Sequence, residues 1–124
     1  MGKPRATLAR QELVIMKVIW RNGSATVRDV YEALREQRRI AYTTVMTTMN
    51  VLADKGYLHR ALEGRAYRYR PALPEDAVMK SMVQEFIDRV FDGASRPLFQ
   101  HLVERERLTE AERAELVRLI ERME

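Results

Sequence analysis

Residues 41–56 constrain the fold most, because the pattern AYTTVMTTMNVLADKG has the periodicity of a helix with two unlike faces. Positions that face a core recur at Val45, Thr48, Met49 and Leu52. The opposite face lacks the long charged side chains of a solvated helix, and over its first two turns it has short or uncharged ones: Tyr42, Thr43, Met46 and Thr47. Threonine can hydrogen-bond a base edge or a phosphate, and its methyl group can pack on a thymine methyl. The pattern therefore predicts a DNA recognition helix, ended by a left-handed cap at Gly56.

Two helices are predicted before this one. The first extends from an N-cap at Thr7 to about Arg21, and Asn22-Gly23 has the composition of a turn. The second begins at a capping box formed by Thr26 and Asp29. Together with residues 41–56 it predicts a helix-turn-helix. Its N-terminal amides, Thr26 and Arg28 could hold a DNA phosphate. Alternatively, Thr26 only caps its own helix.

A basic hairpin is predicted directly after the recognition helix. Residues 57–62 and 66–70 have strand character around a turn at Glu63-Gly64. A two-stranded hairpin in this position is a wing. Its basic side chains, predicted to contact the DNA backbone, are Arg60, Arg65 and Arg68. The alternative is a solvated hairpin without a nucleic-acid partner.

The charge distribution divides the chain at the same place as its prolines. The 124 residues have a net charge of +4, but residues 1–73 contain fourteen Lys and Arg against six acids, a net +8. Residues 74–124 contain eight against twelve, a net −4. Pro71 and Pro74 bracket the transition. We therefore predict a winged-helix DNA-binding domain over residues 1–73 and a helical dimerisation domain over residues 74–124.

The C-terminal residues predict three helices, the last of which begins at a capping box formed by Thr109 and Glu112. Their apolar stripes are too wide for so short a chain to bury. Pairing with a second copy would cover them, and helix-turn-helix proteins commonly bind two half-sites as dimers. The alternative is that the long helix packs back on the winged domain. The predicted dimerisation residues are Met79, Met82, Val83, Phe86, Ile87, Val90, Phe99, Leu102, Leu116, Leu119 and Ile120.

The composition argues against several other classes of protein. No apolar run has the length of a membrane span, no signal-peptide pattern is present, and cysteine is absent, which is compatible with a cytoplasmic location. His59 and His101 fall in different predicted modules, and neither lies in a metal-ligand spacing or beside a nucleophile. We expect no enzyme activity, no catalytic residue, no metal and no cofactor.

The chain resembles the penicillinase-repressor family of transcriptional regulators, the BlaI/MecI/CopY type. The resemblance is carried by residues 12–20 (ELVIMKVIW), 26–34 (TVRDVYEAL), 41–52 (AYTTVMTTMNVL), 55–57 (KGY) and 64–71 (GRAYRYRP). Residues 102–116 also resemble the family's dimerisation segment. The match covers nearly the whole chain, and the order and spacing of these segments make it specific.

The resemblance implies a mainly α fold with a two-stranded wing and a three-helix C-terminal domain. It also implies a repressor that binds a dyad-symmetric DNA operator as a homodimer, in some members at β-lactamase or other cell-envelope stress genes. A threonine-rich third helix contacts the major groove in this family. That role carries over to Thr43, Thr44 and Thr47, and with less support to Tyr42 and Met46. The family's wing residues carry over to Arg65 and Arg68 as backbone contacts.

Three departures from the family limit what the resemblance implies. Val51 stands where the family often has Arg. Copper-responsive members use C-terminal cysteines, which this chain lacks, so copper sensing is not expected. Penicillinase repressors are inactivated by proteolysis under a membrane sensor, at an Asn-Phe bond in the best-known members. The aligned bond here is His101-Leu102, so relief by cleavage is implied by the family and not by these residues.

A different class of function stays open at this point. A winged domain can serve protein–protein contact alone, in which case binding to DNA would be weak and little affected by salt. Repressor binding would weaken steeply with salt, because Lys and Arg that neutralise phosphates release condensed counterions.

Overall fold

The structure is a computed structural model that describes residues 8–105 and 109–122. Helices and short strands follow in the order α1 (Arg10–Asn22), β1 (Ala25–Thr26), α2 (Val27–Arg35), α3 (Tyr42–Asp54), β2 (Leu58–Glu63), β3 (Ala66–Pro71), α4 (Glu75–Val90), α5 (Arg96–Arg105) and α6 (Glu110–Arg122). This mainly helical architecture with a small antiparallel sheet confirms the predicted fold class.

The chain divides into two compact units, residues 1–82 and residues 83–124. The first unit extends past the predicted boundary after residue 73. The reason is that Val78 is buried in its core, while Leu73 and Met82 pack against that core. Met82, which the sequence assigned to dimerisation, therefore contributes to the winged unit. The first two turns of α4 thus follow the alternative in which the long helix packs back.

The core of the first unit lies between α1, α2, α3 and the sheet. Its fully buried side chains include Tyr57, Tyr69, Ile15, Met16, Ile19, Met49, Leu52, Val30 and Val45. Three of the four core positions predicted on α3 are buried, and the fourth, Thr48, is half-buried. Burial of one stripe fixes which face of α3 points outward.

The C-terminal end of α3 is explained by its sequence. Gly56 has a φ of 92°, which confirms the predicted left-handed cap. The amides of Gly56 and Tyr57 donate to the carbonyls of Ala53 and Leu52, at 3.1 and 2.9 Å. This pattern satisfies the last carbonyls of α3 and turns the chain directly into the wing.

A half-buried ion pair attaches α3 to α1. The Lys55 Nζ lies 2.7 Å from the Glu12 Oε2, and the other Glu12 oxygen accepts the amide of Ala9 at 2.9 Å. Glu12 thus caps the start of α1 while it holds the end of α3. Thr7, the predicted cap, lies outside the described residues, and α1 begins at Arg10.

The sheet has three strands in the order β1-β3-β2, all antiparallel. The hairpin β2–β3 is the predicted wing, with Leu58 opposite Pro71 and Glu63 opposite Ala66. The sequence did not predict β1, where Ala25 pairs with Tyr69 and Thr26 pairs with Arg68. Pairing with β1 attaches the wing to the start of α2.

In the second unit, the N-terminus of α6 is capped as the sequence predicted. The Thr109 Oγ1 accepts the amide of Glu112 at 3.1 Å, and Glu112 Oε1 accepts the amide of Thr109 at 3.0 Å. A guanidinium nitrogen of Arg113 donates to the carbonyl of Val103, which joins α6 to α5. The side chains of Leu116, Leu119 and Ile120 lie outside the described part of the chain.

Candidate nucleic-acid interface

The outward face of α3 presents every side chain that the sequence assigned to base contacts. Tyr42 and Met46 are 39% and 40% exposed, and the three threonines between and beside them are also exposed: Thr43, Thr44 and Thr47. None of the five side chains carries a charge and three of them are threonines, so another surface can approach this face closely. Their placement agrees with the prediction, and contact with bases stays a prediction.

The N-terminus of α2 lies beside this face. The predicted capping box is confirmed, because the Thr26 Oγ1 accepts the amide of Asp29 at 3.1 Å and the Asp29 carboxylate accepts the amide of Thr26 at 3.0 Å. Thr26 therefore caps its own helix, and its hydroxyl proton is still able to donate. The side chain of Arg28 is 71% exposed and lies 3.4 Å from Glu32.

A ladder of rings and guanidinium groups joins α2 to the first turn of α3. The rings of Tyr31 and Tyr42 meet edge to face at 5.4 Å. The Arg28 guanidinium lies 5.8 Å from the centre of the Tyr42 ring, and that of Arg35 lies 5.5 Å from the Tyr31 ring. The sequence does not predict this ladder, because its members come from two helices whose relative placement depends on tertiary packing.

The wing arginines differ in how far they are engaged within the chain. Arg68 bonds to Glu63 at 3.0 Å and to the Ser24 hydroxyl at 3.2 Å. Arg60 donates to Asn50 at 2.8 Å. Arg65 is exposed in the turn of the hairpin, and no ion pair of its side chain is found among the described residues. Of these three, Arg65 is thus the cation most available to a phosphate, whereas Arg60 and Arg68 hold the wing in place.

A groove of about 530 Å³ lies between α2, α3 and the wing. Three tyrosines, two arginines and smaller apolar or polar side chains line it: Thr26, Val27, Arg28, Tyr42, Met46, Asn50, Arg65, Ala66, Tyr67 and Tyr69. Five of the residues predicted to contact DNA thus line one concavity, although they come from three separate stretches of sequence: Thr26, Arg28, Tyr42, Met46 and Arg65. A groove with cationic edges suits a polyanion better than a neutral ligand.

The remaining predicted residues whose side chains are described lie on α4 and α5, and of these Met79 belongs to the first unit. Val83, Phe86 and Val90 on α4 are 50%, 41% and 50% exposed, and Met79, Phe99 and Leu102 are half-buried. Ile87 is buried within the chain, which leaves it less available to a partner. The predicted cleavage residues, His101 and Leu102, lie in the middle of α5.

Within residues 8–105 and 109–122, no group of three or more His, Cys, Asp or Glu side chains is placed so that it could hold a metal ion. No helix in these ranges is both long enough and apolar enough to cross a membrane. His59 lies on β2 and His101 on α5, in different units.

Comparison with known proteins identifies the family. The model of the penicillinase repressor family matches residues 8–122. The transcriptional regulator BlaI of Mycobacterium tuberculosis is 36% identical over 103 residues, which cover 82% of this chain and 75% of that protein.

Two solved structures of the repressor BlaI resemble the winged unit. The solution structure of the BlaI DNA-binding domain has a TM-score of 0.54 and 32% identity, covering 60% of this chain and 90% of that one. Monomeric Bacillus licheniformis BlaI, solved in complex with the blaP half-operator, has a TM-score of 0.50 and 31% identity, covering 56% and 85%. The chain belongs to the penicillinase repressor family.

Proposed function

We propose that this protein is a transcriptional repressor that binds a dyad-symmetric DNA operator as a homodimer. The observation that carries the proposal is the exposed threonine face of α3, which a buried stripe on the opposite side holds outward. The similarity to BlaI, of which one structure contains a half-operator, supports the same conclusion. A repressor acts on chromosomal DNA, so we place the protein in the cytoplasm.

Base contacts are assigned to the first two turns of α3. Thr43, Thr44 and Thr47 would donate to or accept from base edges in the major groove, and their methyl groups would pack on thymine. Tyr42 and Met46 would provide apolar contact at the edges of this surface. Val51, which replaces the family's common Arg, is 37% exposed and offers no charge to a phosphate.

Backbone contacts are assigned to the cations and donors that flank α3. Arg65 at the wing tip and Arg28 at the start of α2 lie on two sides of the groove, where phosphates of one strand would pass. The Thr26 hydroxyl can donate to the same strand. Arg60 and Arg68, predicted as backbone contacts, would act mainly by holding the wing, since both already bond within the chain.

Dimerisation is assigned to the second unit. Exposed apolar side chains at Val83, Phe86 and Val90 recur at helical spacing on α4 and form one stripe. A second copy that covers this stripe would place two recognition helices on two half-sites of an operator. We therefore keep residues 74–124 as the proposed dimerisation region. The first turns of α4 nevertheless pack with the winged unit.

Release from DNA is proposed to follow cleavage of the second unit by a protease under a membrane sensor, as the family resemblance implies. The target genes would be those for β-lactamase or related cell-envelope stress functions. The His101-Leu102 bond lies inside α5, so this helix would have to open before a protease could bind it in an extended form.

The test is a titration of the full-length protein onto the DNA upstream of its own gene and onto a scrambled duplex, at two salt concentrations. We expect tighter binding to the upstream DNA, protection of a dyad by two protomers, and affinity that falls steeply with salt. Equal affinity for both duplexes would contradict sequence-specific repression. No binding at low salt would instead favour a winged domain for protein–protein contact.

A further inference from the structure

One carbonyl oxygen connects the recognition helix to both strands of the wing. The Oδ1 of Asn50, in the third turn of α3, accepts the Tyr69 hydroxyl at 2.8 Å and the Arg60 Nη1 at 2.8 Å. Arg60 and Tyr69 are directly opposite each other in the β2–β3 ladder. Asn50 therefore fixes the hairpin at one cross-strand pair.

The chemistry of the donors settles the orientation of the amide. Arginine has no acceptor atom, so the Asn50 atom that faces it must be the oxygen and not the nitrogen. The Tyr69 hydroxyl then has to donate, which requires a protonated phenol. Burial raises the pKa of Tyr69 above its ordinary value and keeps the hydroxyl protonated, although the nearby Arg60 charge acts in the opposite direction.

Besides Asn50, the wing is attached through Arg68, which bonds to Ser24 and lies 3.9 Å from Asp29, and its outer half has few apolar contacts. Leu62 and Tyr67, the next pair along the same face of the hairpin, are 65% and 47% exposed. The Arg60 guanidinium that bonds to Asn50 also lies 5.6 Å from the centre of the Tyr67 ring. Apolar packing thus ends near Tyr69. Toward the tip, Arg60 connects the hairpin to α3, because it bonds to Asn50 and also contacts the ring of Tyr67.

We propose that Asn50 is a positioning residue that sets the spacing between the DNA-facing side of α3 and the wing tip. With the hairpin held at this spacing, Arg65 contacts a phosphate while the threonines of α3 contact bases. The inference rests on the proposed function. It also means that Asn50 is not expected to contact a base. An asparagine that binds adenine uses both amide atoms, and the Asn50 oxygen already accepts two hydrogen bonds within the chain.

A double-mutant cycle tests the proposal, because Asn50 bonds to Arg60 and Tyr69 and not to Arg65, so Asn50 and Arg65 should couple only through the wing. The affinity of full-length protein for the upstream duplex is measured for Asn50→Ala, Arg65→Ala and the double variant. We expect Arg65→Ala to weaken binding several-fold in the wild-type background, and at least about threefold less in the Asn50→Ala background. The salt slope is the steepness with which the logarithm of the affinity falls with the logarithm of the salt concentration. It should decrease by about 1 in both Arg65→Ala and Asn50→Ala.

The matched control is the same cycle with Arg28→Ala, which removes an arginine on the other side of the groove. Arg28 lies on α2 and outside the hairpin, and it does not bond to Asn50, so its effect should be additive with that of Asn50→Ala. Asn50→Asp keeps an acceptor oxygen for Arg60 and Tyr69. It should restore the coupling to Arg65, although its negative charge lowers affinity for every duplex.

Additive effects of Asn50→Ala and Arg65→Ala would overturn the proposal. Equal coupling of Asn50→Ala to Arg65→Ala and to Arg28→Ala would overturn it too, because that result would indicate a general loss of structure. If Asn50→Ala does not fold, Tyr69→Phe removes one of the two hydrogen bonds and keeps the buried ring, and the cycle is repeated with it. The proposed function fails separately, if the wild-type protein does not distinguish the upstream duplex from the scrambled one.

Discussion

The two compact units of this protein differ in how completely each buries its own apolar side chains. Fifteen hydrophobic residues are buried in the core of residues 1–82. Among the described side chains of residues 83–122, Ile87 alone is buried to that degree, while Val83, Phe86 and Val90 are exposed. The winged unit is thus complete by itself, whereas the second unit presents a stripe that a partner could cover. The difference supports the proposal that DNA contact resides in the winged unit and assembly in the second unit.

The largest expected effect comes from charging the exposed stripe of the second unit. Phe86→Glu would place a carboxylate in the proposed dimer contact, where burial of an unpaired charge is unfavourable. We expect a monomer whose operator affinity is lower by about 100-fold or more, because binding to two linked half-sites is lost. Sedimentation gives the oligomeric state, and a titration with the upstream duplex gives the affinity.

Ser81→Glu is the matched control for this variant, because it adds the same charge to α4 at an exposed position on the opposite side from the stripe. It should leave the dimer and its affinity intact. A Phe86→Glu protein that still sediments as a dimer would show that the exposed stripe is not the contact between protomers.

The next largest loss of operator affinity should come from Thr47→Ala, which removes one hydroxyl and one methyl group from the outward face of α3. Thr47→Ala should weaken operator binding by about 1–3 kcal/mol if Thr47 makes a specific base contact. Binding to the scrambled duplex should not change, because α3 does not recognise it by base contacts. Thr48→Ala provides the comparison, since Thr48 is half-buried on the same helix and faces inward. Unchanged operator preference in Thr47→Ala would mean that the assigned face of α3 is wrong.

Loss of the wing-tip cation should affect all DNA sequences alike. Arg65→Ala should weaken binding to operator and scrambled duplexes by a similar factor and lower the salt slope by about 1. Arg118→Ala removes the same charge from the second unit, where no DNA contact is proposed, and should leave the slope unchanged. A loss confined to the operator would instead make Arg65 a base contact.

The smallest effect concerns stability at high pH. Burial raises the pKa of Tyr69 above its ordinary value, so the folded state holds this proton more firmly than the unfolded chain does. The resulting stability is fully present below the unfolded pKa and is lost as pH rises through the folded pKa. Urea unfolding from about pH 9 to about pH 11 should therefore show a steeper fall for wild type than for Tyr69→Phe. Parallel curves would show that Tyr69 does not contribute to the pH dependence.

The sequence by itself determined the helices, their caps and their buried stripes. Thr26 with Asp29, Thr109 with Glu112, and Gly56 form the predicted caps. These features are local: a cap or a stripe depends on residues three or four apart, so periodicity and side-chain chemistry are sufficient to predict them. The exposed face of α3 follows from the same periodicity, since burial of one side leaves the other outside.

Only the tertiary structure decided which side chains are free to contact a partner. Arg60, Arg65 and Arg68 look alike in the sequence, but two of them bond within the chain, to Asn50 and to Glu63. The two-residue strand β1 is too short to show an alternating pattern and exists through its pairing with β3. Met82 belongs to the winged core because Val78 brings the start of α4 against it. Each of these depends on residues distant in sequence, whose approach is fixed by packing and not by any local pattern.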